Sequence, residues 1–203
     1  MKRLTTSVGT DSPQRNSEDR VEIRELDDQL LIALADGAGG RAGGAAAAEF
    51  AVRSILKADP VLDPAAWVMC LAEIDRQLSG DPSGGETTAV VVLISPKSIV
   101  GASVGDSGAW FVDAAGVENL TARQQRKPLL GSGVAVPVMF RHDGPGGIVL
   151  AATDGLLKYT SAEKICDVIR RTSLELAPGA LIDLVRLKSG ALQDDVAVAV
   201  CRR

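Results

Sequence analysis

Aromatic residues make up only 3% of the 203-residue chain, and it holds a single histidine, His142. A core so poor in rings has to be built from Val, Leu, Ile and Ala. One imidazole argues against a histidine-rich metal site, and His142, just before a Gly/Pro loop, is expected to be structural or exposed. The three cysteines, Cys70, Cys166 and Cys201, are far apart in apolar surroundings. No CxxC spacing occurs, which argues against zinc and points to buried reduced thiols. No apolar run approaches the length of a membrane span. The opening MKRLTTSVGTDS lacks the apolar centre of a secretory signal, so a cytoplasmic location is expected. The net charge of -4 and pI near 5.1 weigh against nucleic acid or an anionic membrane as partner.

What is present is a 46% hydrophobic chain of ordinary charge content, long enough for one well-buried domain. Residues 21–25 and 30–35 read as strands separated by LDDQ. DGAGG reads as a loop, and residues 41–57 as an Ala-rich helix suited to close packing. Asp63 followed by Pro64 marks the start of a second helix running to Leu78. Residues 87–95 and 98–104 are dense apolar runs joined at Pro96-Lys97, which predicts a hairpin. Further strands are expected at 109–113, 117–120, 136–140 and 148–152. Thr160-Ser-Ala-Glu163 has the spacing of a capping box and predicts a helix to Thr172. A helix over 178–189 ending at Gly190, and a last strand at 196–201, complete the order. Strands, helix pair, strand meander, helix pair and strand predict an α+β layered domain rather than alternating βαβ units.

The acids are placed unevenly. Asp36, Asp106, Asp154 and the pair Asp194/Asp195 sit at the ends of apolar runs, and Asp19 opens one, beside Gly, Ser or another acid. Acids at strand ends can converge in space, and converging carboxylates repel unless a cation holds them. With almost no His and no clustered Cys, that cation is expected to be a hard, oxygen-loving divalent metal. Singly, DGAGG, GDSG and TDG are unremarkable turns; it is their order that carries information.

SEDR (17–20), DGAGG (36–40), GGETTAVVV (84–92), VGDSGAW (104–110), ATDGL (152–156) and DDVAVAV (194–200) together resemble the metal-dependent protein phosphatases of the 2C type, in a compact, bacterial-like form. The resemblance spans nearly the whole chain. It implies a four-layer α-β-β-α sandwich of two antiparallel sheets flanked by helix pairs, with residues 1–203 forming one catalytic domain. It implies hydrolysis of phosphoserine and phosphothreonine by a water bridging two Mg²⁺ or Mn²⁺ ions about 3.5–4 Å apart. Asp36 would bridge both ions, the Gly37 carbonyl would join one, and Asp154 and Asp194 would hold the other. Glu18 and Asp19 would lie beside the cluster, orienting metal-bound waters or ligating one ion, and Asp106 would serve an optional third ion with Asp154. Asp195 would occupy a hydrogen-bonding position. The implied partner is a phosphorylated protein opposing a Ser/Thr kinase, and a monomer is expected.

Three departures from the family pattern bear on activity. Gln14 stands where the family places a phosphate-binding arginine, so neighbouring Arg15 is expected to take that role, with Arg20, Arg41 or the ions alone as alternatives. Ala38 stands where some members carry a proton-donating histidine. The stretch LTARQQRKPLLGSG (120–133) is too short for a full flap, and its Arg123, Arg126 and Lys127 could meet a phosphoprotein or simply face solvent. An inactive phosphoprotein-binding relative and a small-molecule phosphomonoesterase are the alternative functions.

Overall fold

Strands that are apolar at every position must be covered on both faces, and the described residues hold three of them, at 89–94, 108–112 and 148–152. In the computed structural model, which describes residues 4–14, 16–38, 43–81 and 84–203, these are the strands at the centre of the sheets. The elements run β1 (Thr5–Asp11), β2 (Asp19–Glu25), β3 (Leu30–Asp36), α1 (Gly44–Lys57), α2 (Pro64–Ser79), β4 (Ala89–Ile94), β5 (Ser98–Val104), β6 (Gly108–Val112), β7 (Val117–Asn119), β8 (Val138–Asp143), β9 (Ile148–Ala152), α3 (Asp154–Leu157), α4 (Ala162–Arg171), α5 (Ala177–Asp183) and β10 (Val196–Arg202). They form two five-stranded antiparallel sheets, ordered β1-β10-β9-β6-β7 and β2-β3-β4-β5-β8.

Period-2 alternation assigns each side chain to a layer. On β3, Leu31, Ala33 and Ala35 face α1 and α2, while Leu30, Ile32 and Leu34 face the second sheet. On β10, Val196, Val198 and Val200 pack under α4 and α5, while Ala197, Ala199 and Cys201 enter the space between the sheets. Three apolar layers therefore alternate with two sheets, giving the α-β-β-α sandwich. Small residues let α1 lie close, with Ala47, Ala48 and Ala51 buried on its inner face. Asp63 caps α2, accepting the Ala65 N–H at 3.0 Å. The Pro96-Lys97 turn joins β4 to β5 with Ile94 opposite Ile99.

Several expected boundaries shift. β1 was not expected: TTSVGTD is mostly polar and its one large apolar residue, Val8, is 48% exposed. It is an edge strand, held by pairing with β10 rather than by a buried face. The N-cap of α4 is Ser161, not Thr160, and its hydroxyl accepts the Lys164 N–H, so Glu163 is not placed for a capping box. α5 stops at Asp183 instead of Ser189. Leu184, Val185 and Arg186 bond back three residues, and Leu187 donates to Ala191 instead. β8 runs on to Asp143, because Ser98 and Ile99 pair with the residues read as loop. The expected start of α1 at Arg41 lies outside the described residues.

Between β7 and β8, residues 120–137 form turns without helix or strand, apart from one bridge between Thr87 and Leu130. Asp75 of α2 organises the second half of this loop. Its carboxylate is 5% exposed and accepts the N–H groups of Gly131 (2.7 Å), Gly133 (3.0 Å) and Ala135 (3.1 Å). Asp75→Asn keeps the shape but turns an amide donor toward one of these donors. Chemical denaturation is expected to show a loss of about 2 kcal/mol.

Candidate active site

β2 begins at Asp19 and β3 ends at Asp36, and the antiparallel register sets the two acids directly opposite each other. Like charges in that position repel, and here one of the two is buried and the other half-buried. Both carboxyl groups titrate well above the usual aspartate range. For Asp36 the first cause is burial, followed by the charges of Asp19, Asp154, Asp106 and Asp194. For Asp19 burial again comes first; a hydrogen bond with Thr153 opposes it, and the charge of Asp195 adds to it. Asp154 is raised by burial, then by Asp106 and Asp194. Asp19 is 3% exposed, and its Oδ2 is buried with no hydrogen-bond partner among the described residues.

A hydrogen-bonded frame holds these acids together. The Asp36 N–H donates to Thr88 Oγ1 (2.9 Å), while the Thr88 N–H and the Thr87 hydroxyl both donate to the Asp36 carbonyl (2.8 Å each). The Thr88 and Ser107 hydroxyls share a further bond of 2.7 Å. The two threonines of GGETT thus tie the DG turn to the GDS turn. A Cβ on Gly37 would stand 2.5 Å from the Gly44 carbonyl, so glycine is what lets the start of α1 approach the end of β3.

The TDG and DD segments lock in the same way. A Cβ on Gly155 would lie 1.8 Å from the Asp195 carbonyl oxygen. The Ala197 N–H donates to Thr153 Oγ1 at 2.9 Å, and the Thr153 N–H to the Ala197 carbonyl at 3.0 Å. Asp195 then reaches across to the loop before β2. Its Oδ1 accepts the Ser12 hydroxyl and its Oδ2 the Glu18 N–H, both at 2.5 Å. Ser12 Oγ in turn accepts the Gln14 N–H at 3.0 Å. Asp195 is a hydrogen-bonding clamp on the loop that carries Glu18.

Glu18, Asp36, Gly37, Asp106, Asp154 and Asp194 line one open cavity of about 330 Å³, together with Asp195, Ala38 and Thr88. Asp19 does not line this cavity and instead borders a second cleft with Arg20. Arg15, Gly39, Gly40 and Arg41 lie outside the described residues. Three acids are turned toward local partners: Asp106 to Arg126 Nε at 2.6 Å, Asp154 to Lys158 Nζ at 3.9 Å, and Asp194 Oδ1 to the Asp195 N–H at 3.1 Å. Accordingly, among the described residues no three acidic, His or Cys side chains already enclose an ion. A metal would have to draw the carboxylates inward against these contacts.

The donor chemistry nevertheless fits a hard divalent cation. The cavity offers carboxylates and backbone carbonyls and no sulfur or imidazole. Buried, mutually repelling acids and an orphaned Asp19 oxygen call for positive charge. His142 lies in another cleft, paired with Glu118 at 2.7 Å and against the Phe111 ring. All three cysteines are free thiols, two of them buried. Sequence reasoning did not place Arg126, Lys127 and Lys158 in the cavity. The first two were visible only as a basic stretch, and the signal for Lys158 was its spacing of four after Asp154.

The family model described as protein phosphatase 2C matches residues 12–127. No curated protein matches the chain by sequence. Among solved structures, a bacterial serine phosphatase superposes with a TM-score of 0.84 at 20% identity, over 98% of each chain. The serine/threonine phosphatase Stp1 from Staphylococcus aureus gives 0.84 at 20% identity, over 100% of this chain and 96% of that one. The catalytic domain of the phosphatase PstP, in complex with two manganese ions, gives 0.82 at 21% identity, over 98% and 97%.

Removing one member of the repelling pair tests the cation requirement without any assay of turnover. In EDTA, Asp36→Asn is expected to raise Tm by about 5 °C, from a relieved burial cost of roughly 2 kcal/mol. Mn²⁺ should raise the Tm of the wild type and leave that of Asp36→Asn unmoved. A wild type indifferent to Mn²⁺ would refute a metal-holding cluster.

Proposed function

The chain belongs to the protein phosphatase 2C family, and from that membership we propose a Mg²⁺- or Mn²⁺-dependent protein phosphatase acting on phosphoserine and phosphothreonine. Its substrates would be proteins phosphorylated by a Ser/Thr kinase. Residues 1–203 would form one catalytic domain with the flap reduced to the loop over 120–137. The observation that carries the reading is the opposed pair at the end of two strands, Asp19 buried and Asp36 half-buried, beside Asp154 and Asp194. The stability cost of that arrangement is intelligible if the acids hold cations. A dimanganese complex of a similar fold, PstP, supports it. Among the described residues no helix is long and apolar enough to cross a membrane.

Asp36 and the Gly37 carbonyl, with Asp154 and Asp194, would hold two ions, and Glu18 would stand at their rim. When bound, such ions supply an activated water nucleophile and neutralise charge on the phosphoryl oxygens. Every other contribution comes from the chain. Thr87 and Thr88 fix the Asp36 backbone, so the carboxyl is presented from a rigid strand end. Asp19 backs Asp36 across the ladder and Asp195 keeps the Glu18 loop in place. Arg15, three positions before Glu18 in the sequence, is proposed to bind phosphate. Ala38 lines the cavity with a methyl group, so the leaving-group proton comes from solvent rather than from a side chain there. A third ion at Asp106 would have to displace Arg126.

With Mn²⁺ the purified protein should hydrolyse p-nitrophenyl phosphate and a phosphothreonine peptide. EDTA or Asp36→Asn should each lower the rate by about 10²-fold or more. Metal binding without turnover at any pH would mark a phosphoprotein-binding regulator instead. Turnover of small phosphoesters alone would mark a phosphomonoesterase.

A further inference from the structure

The cavity contains a preset ion pair that the metal cluster does not account for. Arg126 meets the Asp106 carboxylate through Nε at 2.6 Å. Asp106 is only 28% exposed in its side chain, whereas Arg126 is 69% exposed, so the acid is the fixed member and the guanidinium stands at the cavity mouth. Among the described residues the guanidinium has no other partner. Its terminal nitrogens are therefore free to form a two-pronged contact with an oxyanion.

The backbone on either side of Arg126 is pinned. Upstream, Gln124 accepts the Ser103 hydroxyl at 3.3 Å and donates to the Val136 carbonyl at 3.4 Å. Downstream, Leu130 and Thr87 exchange two N–H···O bonds of 3.0 Å, and Thr87 is itself bonded to the Asp36 carbonyl. The arginine is thus held in register with the strand end that carries Asp36.

Charge gives this placement a purpose. Six carboxylates line the cavity, and two divalent ions would offset only four of them. A phosphomonoester is close to a dianion at neutral pH and would still be repelled. Arg126, with Lys127 and Lys158, reverses the sign at the mouth.

We propose that Arg126 grips the substrate phosphoryl group and that Asp106 is the positioning residue that aims it. The proposal rests on the phosphatase reading above and adds a recognition residue to it. It also supplies an oxyanion-binding arginine in a chain whose position 14 is glutamine.

The test measures metal and phosphate binding separately. Native mass spectrometry counts Mn²⁺ per chain, and calorimetry with inorganic phosphate follows on the Mn²⁺-loaded protein. Wild type, Arg126→Met, Arg126→Lys, Asp106→Asn and Arg15→Met are compared. All should hold two ions. Phosphate affinity should fall about tenfold or more in Arg126→Met, remain well below wild type in Arg126→Lys, and fall about threefold in Asp106→Asn. KM for p-nitrophenyl phosphate should rise in step. Phosphate affinity unchanged in Arg126→Met, or lost only in Arg15→Met, would overturn the assignment, as would an ion lost in Asp106→Asn. A wild type that binds no Mn²⁺ would overturn the phosphatase reading itself, and this proposal with it. Normal metal binding and turnover with a silent Arg126→Met would overturn the proposal alone.

Discussion

Like charges at the end of a β-ladder are the constraint around which this molecule is arranged. Asp19 and Asp36 face each other across neighbouring strands, with Asp154 and Asp106 close enough to raise the titration of Asp36. Nothing in the energetics of a sheet favours that placement. It is sustained because the backbone beneath is bonded from several directions: Thr87 and Thr88 from the segment before β4, Ser107 from the next turn, and the Thr153–Ala197 exchange from the other sheet. Apolar layers on both faces of each central strand supply the stability that the acids cost.

Carboxylates in this chain do two opposite things, and surroundings decide which. Asp75 and Asp195 accept backbone N–H groups and so act as clamps on irregular segments. Asp19 and Asp36 find other acids instead, and Asp19 keeps one buried oxygen without a partner among the described residues. The clamps matter to the cluster. Asp195 orders the loop that brings Glu18 to the cavity, and Asp75 orders the loop that follows Arg126. Both sides of the cavity are therefore built from segments without regular structure, fixed by buried or half-buried acids.

Central elements were legible in the sequence because burial on both faces leaves an unbroken apolar run, as in residues 89–94 and 196–201. The hairpin at Pro96-Lys97 and the cap at Asp63 were legible because turn and cap chemistry is local. Elements whose stability comes from a neighbour were not. β1 has no apolar face to announce it and exists because β10 offers a partner. The last turns expected of α5 give way to three-residue bonds and a contact with Ala191. The ordered motifs named the acids that share the cavity, but nothing in a string of letters shows that Arg126, twenty residues after Asp106, closes an ion pair with it.

The sequence by itself determined which residue types stand at the ends of apolar runs, and hence a layered α+β fold with a cavity of oxygen donors. Periodicity and turn chemistry act over a few residues, so they can be read without coordinates. Only the tertiary structure decided which charges meet. The register that sets Asp19 against Asp36, the pairing of Asp106 with Arg126, and the reach of Asp195 to Ser12 and Glu18 all depend on packing between distant segments. Electrostatic energy varies with separation and burial, and both are properties of the folded chain alone.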